Sequence, residues 1–146
     1  MERRISIDDK NLKDLEGLSV KKCWRLLHEA ENENIPEQIK NEESDGLTYI
    51  LFSNGEVLCF APESERFTIR YKSISQNEIP HDALLVSSNT YWSKRIDQEI
   101  IEVGFLNGNN LHSNPYGLRL NLINSKRIDI MYISESDYTF DALIIK

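Results

Sequence analysis

Seven carboxylates crowd into seventeen residues: Glu29, Glu31, Glu33, Glu37, Glu42, Glu43 and Asp45, with Lys40 the one base among them. The segment carries −6 and the whole chain −7, so the remaining residues sum to −1. A field of one sign concentrated this way draws in a cationic protein surface, speeds its arrival, and repels nucleic acid and anionic membrane. Such chemistry is recognition, not bond-making. A second, smaller group lies near the C-terminus, where Glu135, Asp137 and Asp141 surround Tyr138. An exposed aromatic between acids suits the centre of an interface. These eleven residues are the candidate partner-binding set.

Other reactive side chains are scattered. His28, His81 and His112 are more than thirty residues apart from one another, and none stands at metal-ligand spacing from a cysteine or carboxylate. Cys23 and Cys59 sit within apolar patterns, which reads as buried free thiols in a reducing compartment. No serine falls in a nucleophile-elbow context, and the six glycines are too dispersed for a phosphate loop. Ser134–Asp137 with Asp141 gathers oxygens, but the alternating acids, central glycine and terminal glutamate of a calcium loop are absent. No catalytic residue, metal ligand or cofactor site is assigned. A pI near 5.0 and small, acid-balanced basic clusters argue against nucleic acid as a partner.

The elements that would position these groups follow from periodicity. Ser6 and Asp9 suit the start of a short helical turn holding Leu12 and Leu15, with Gly17 as terminator. Val20, Cys23, Trp24, Leu27 and Ala30, spaced by three and four, predict a helix from Ser19 that ends near Asn34, before Pro36. From Leu47 the period changes to two. Asn54-Gly55 between two strand-like runs is a strong hairpin signal. Because both runs are apolar at nearly every residue, that hairpin is expected to lie centrally. Further strands are expected at Phe67–Tyr71, a short buried run at Ala83–Val86, then Glu99–Phe105, Leu118–Leu122, Ile128–Tyr132 and Ala142–Ile145.

Two stretches echo each other. Gly46-Leu47-x-Tyr49-x-Leu51 resembles Gly117-Leu118-x-Leu120-x-Leu122, and Asp82-Ala-Leu-Leu-Val86 resembles Asp141-Ala-Leu-Ile-Ile145. The pattern suggests a single domain over 1–146 with repeated hairpin units at 18–87 and 91–146. The expected fold is α+β: a largely antiparallel sheet of about seven or eight strands, with N-terminal helices packed on one face.

At 146 residues the chain can bury roughly 68–70% of its unfolded surface without disulfides or metal. No apolar run is long enough to cross a membrane as a helix, and the N-terminus lacks the apolar core of a signal peptide, so a cytoplasmic location is expected. Seventeen isoleucines and thirteen asparagines against four alanines suit AT-rich codons of the kind found in bacterial accessory genes. In this overall character the chain resembles the small acidic immunity proteins of bacterial contact-dependent and polymorphic toxin systems. The resemblance implies a non-catalytic inhibitor that binds a cognate toxin domain, expected to be a basic nuclease, and blocks it by charge and bulk. The alternative is a non-catalytic small-ligand or protein-interaction domain; an enzyme ranks third. Oligomeric state is left open.

Overall fold

Val20 and Cys23 both point inward although they are three residues apart, and the cause is a β-bulge, not a helix. In the computed structural model, which describes residues 2–26, 43–44, 47–63, 66–86, 90–107, 114–133 and 142–146, strand β2 runs Val20–Arg25. Val20 faces Phe52 and Lys22 faces Leu51, so one extra residue is inserted between them. The insertion puts Val20, Cys23 and Arg25 on the buried face and mimics helical spacing. The predicted helix from Ser19 to Asn34 is therefore corrected over its described part; residues 27–34 lie outside the described set.

The expected α+β class, with N-terminal helices packed on one face of a sheet, is overturned, while the antiparallel pairing stands. The chain is mostly antiparallel β, in two sheets. Residue ranges for the first sheet are β1 (Arg3–Arg4), β2, β4 (Thr48–Phe52), β5 (Val57–Glu63), β6 (Thr68–Ile74) and β7 (Leu84–Leu85), in the order β1-β6-β5-β4-β2-β7. The second sheet has the order β11-β10-β9-β8, built from β8 (Ile100–Leu106), β9 (Gly117–Leu122), β10 (Arg127–Ile133) and β11 (Ala142–Ile145). A two-residue strand, β3 (Glu43–Ser44), extends it to five at the β11 edge. The helical elements that lie wholly within the described residues are α1 (Lys10–Lys13), α2 (Thr90–Ser93) and a 3-10 turn at Gln76–Glu78. Asp9, not Ser6, caps α1, accepting from the Leu12 amide at 3.1 Å.

The sheets pack face to face, as inward side chains from both enter one core. Cys23, Ile50, Phe52, Leu58, Phe60, Ile69 and Tyr71 from the first sheet meet Ile100, Val103, Leu118, Leu120, Ile128, Ile130, Leu143 and Ile145 from the second. Leu12 from α1 and Trp92 from α2 plug the same core and are fully buried. The predicted hairpin at Asn54-Gly55 joins β4 to β5 in the middle of the first sheet, with Gly55 at φ +89°. Its outer face is also covered: Tyr49, Val57 and Cys59 pack with Trp24, Leu51 and Ile74 beneath Ile79 and Ala83. The run Ala83–Val86 is not the buried strand its composition predicts. Leu84 and Leu85 are exposed on an edge strand, and only Val86 is buried.

Each half has the same local order: helical turn, four-residue turn, bulged strand, hairpin. Residues 10–25 correspond to 90–105, with bulges at Val20/Lys22 and Ile100/Glu102. The hairpin after Phe52 corresponds to the one after Leu122. The halves meet at a bridge between Ser19 and Glu99. There the Gly17 amide donates to the Ile100 carbonyl at 2.8 Å, and the Asp97 amide donates to Val20 at 3.0 Å. The echo between Asp82–Val86 and Asp141–Ile145 does not follow this correspondence. β7 pairs with β2, whereas β11 pairs with β10, the place that β6 holds beside β5 in the first half.

Candidate functional site

The described residues that flank the acid-rich segment lie side by side. β2 ends at Arg25, opposite Thr48 of β4, and the Leu26 amide donates to the Leu47 carbonyl at 2.9 Å. Along the intervening stretch, Glu43 sits in β3, opposite Ile144 of β11. The connection is thereby tied to both sheets, at the end where the fully buried Arg25 donates through Nη2 to the Leu143 carbonyl at 2.9 Å. Glu29, Glu31, Glu33, Glu37, Glu42, Asp45, Glu135, Asp137, Tyr138 and Asp141 all lie outside the described residues. Ion pairs among the described residues engage Glu2, Glu16, Glu63, Asp97 and Asp129, none of them in the acidic segment.

Of the three histidines, His28 and His112 fall outside the described residues. His81 lines a shallow hollow of about 350 Å³ with Trp24, Gln76, Asn77, Ile79, Pro80 and Ala83, and no carboxylate is among the described residues that line it. No group of three potential metal ligands occurs among the described residues. Cys23 and Cys59 are free and buried. Burial pushes the Cys23 thiol up to about 12 against a smaller pull from the Arg25 charge, and the Cys59 thiol up to about 11 against Lys72. Both stay protonated and unreactive at neutral pH.

A larger cleft, of about 420 Å³, opens on the other side of the first sheet. Its floor is apolar, formed by Leu15, Leu18 and Leu58, with Tyr71 as a wall. The Tyr71 hydroxyl donates to Asp9 Oδ2 at 2.6 Å, and burial together with that carboxylate holds its proton more tightly than usual. Charges of both signs stand on the rim: Asp14 and Glu56 by the α1 turn and the hairpin, and Arg3 on β1 opposite Tyr71; Lys72 borders the cleft from β6, but its register opposite Cys59 puts its side chain on the other face of the sheet. No ion pair among the described residues involves any of the four. Sequence reasoning missed this set because its members come from four separate elements.

No helix among the described residues is long and apolar enough to cross a membrane. No family model matches the chain, and no curated protein or solved structure matches it.

Proposed function

We propose that the chain is a stoichiometric inhibitor of the immunity type, which holds a basic partner protein through the acidic connection between β2 and β4. The observation that carries this reading is the concentration of −6 of the chain's −7 on a single connection whose ends meet at Leu26 and Leu47. Both ends of that connection are anchored on neighbouring strands of the sandwich. A partner with a cationic groove, such as a nuclease, is steered to it and covered by it. Inhibition is occlusion, and no bond is made or broken by the inhibitor.

The test is a pull-down from the native host at low and at high salt. It compares the natural chain with one in which Glu29, Glu31, Glu33 and Glu37 are replaced by glutamine. A basic toxin domain recovered by the natural chain, weakened by salt and lost with the variant, supports the reading. Recovery of no such partner, or equal recovery by both chains, overturns it.

A further inference from the structure

The two halves of the fold differ at one corresponding place, and the difference describes a ligand. In the second half, Arg95 follows α2 and lays its guanidinium over the Tyr91 ring, 3.7 Å from the centroid. Its Nε donates to the Arg127 carbonyl at 2.8 Å and its Nη1 to the Tyr91 carbonyl at 2.9 Å. Asn124 closes the same seam by donating to the Lys94 carbonyl at 2.8 Å. A planar cation thus fills the space between helical turn and hairpin.

In the first half the corresponding positions are Leu15 for Arg95 and Asn11 for Tyr91, and the space is open: it is the 420 Å³ cleft. Asn54 corresponds to Asn124. Its Oδ1 accepts from the Glu56 amide at 3.0 Å, as Asn124 Oδ1 accepts from Lys126, but no hydrogen bond among the described residues carries it across to the α1 turn. The flanking charges are also reversed. Lys94 and Lys126 of the filled half correspond to Asp14 and Glu56 of the open one. Where the built-in cation is missing, two carboxylates stand instead. Across the cleft, Arg3, which stands opposite Tyr71 on β1, offers the opposite charge.

We propose that this cleft binds arginine by both ends, with the guanidinium between Asp14 and Glu56 and the α-carboxylate toward Arg3. The methylene stem lies over Leu15, Leu18 and Leu58. A guanidinium presents its donors in a planar fork that carboxylates match, and a lysine ammonium does not reproduce this geometry. The volume falls within the range of small-molecule sites. The same chemistry is offered by the free amino acid and by a protein chain that ends in arginine. The site is separate from the acidic connection and uses none of its residues.

Calorimetric titration with free L-arginine, with a short peptide ending in arginine, with agmatine and with lysine tests this. Binding is expected for arginine, for the peptide, or for both; which of the two binds more tightly identifies the source. Agmatine, which lacks the carboxylate, and lysine, which lacks the fork, are expected to bind at least about tenfold more weakly. Asp14→Asn and Glu56→Gln are each expected to weaken binding by about tenfold. Both residues are exposed, so circular dichroism should show an unchanged fold. The proposal is overturned if neither arginine nor the peptide binds, if agmatine binds as tightly as arginine, or if both variants bind like the natural chain.

Discussion

Gly17 and Asp97 occupy the same position in the two halves, and both hold left-handed backbone, at φ +92° and φ +66°. Each closes the turn between a helical turn and a bulged strand, and each sends its amide to a carbonyl of the opposite half. A Cβ at Gly17 would meet nothing within 4 Å, so the cost of adding one is backbone strain alone. Gly17→Ala is expected to lower the unfolding free energy by about 1–2 kcal/mol. Gly104→Ala, also with open space but without positive φ, is expected to be neutral or to stabilise by up to about 1 kcal/mol. Urea denaturation of the two variants checks both; equal losses would contradict the strain argument.

A second expectation concerns the outer face of the second sheet. Asp129 is buried and receives two hydrogen bonds from Arg119, at 2.8 and 2.9 Å. Arg127 approaches the same carboxylate only to 3.4 Å from a largely exposed position. Arg119→Met removes the main partner of a buried charge and is expected to cost about 2–4 kcal/mol. Arg127→Met is expected to cost under about 1 kcal/mol. Reversal of that order in chemical denaturation would refute the assignment.

The thiols set an alkaline limit. Burial raises Cys23 from its ordinary 9.0 to about 12 and Cys59 to about 11. Above about pH 9 the unfolded chain therefore gives up protons that the folded chain retains, and stability falls as pH rises through that window. Below pH 9 the two thiols make no pH-dependent contribution. Melting temperature followed from pH 7 to 11 should drop, and the Cys23→Ala/Cys59→Ala double variant should drop less. Reaction with a thiol reagent at pH 8 should be slow in buffer and fast in urea.

The β8 edge is guarded by side chains. Lys13 donates to the Val103 carbonyl, and Glu16 accepts from the Val103 amide at 2.9 Å. In the first half the matching carbonyl, that of Cys23, is taken by the Val86 amide beside β7. Replacing Lys13 and Glu16 together by serine frees a strand edge and is expected to cost about 1–2 kcal/mol. Size-exclusion chromatography should show concentration-dependent association of that variant; a strictly monomeric elution equal to that of the natural chain would count against the guarding role.

Legibility in the sequence varied with how local each cause is. The Asn54-Gly55 hairpin could be read because its turn residues and flanking runs are contiguous, and Leu118–Leu122 because its alternation is clean. β2 could not, since a bulge at Val20/Lys22 shifts the inward residues to a spacing of three and four. Thr68, a polar residue between Phe67 and Ile69, is buried, with its hydroxyl donating to the Pro115 carbonyl. Phe67, at φ +52°, enters that strand with a twist that no composition announces. The cleft was hidden for the same reason. Asp14 and Glu56 acquire meaning only beside Lys94 and Lys126, whose correspondence is set by shape and not by shared residues.

The reciprocal amide bonds at the junction carry a consequence for assembly. Neither half seals itself: a polypeptide cut between Val86 and Thr90 would yield two fragments, each with a bare apolar sheet and a dangling turn designed to dock on its sibling. Such fragments ought to reconstitute on mixing, and two intact molecules that trade halves would satisfy the same set of bonds.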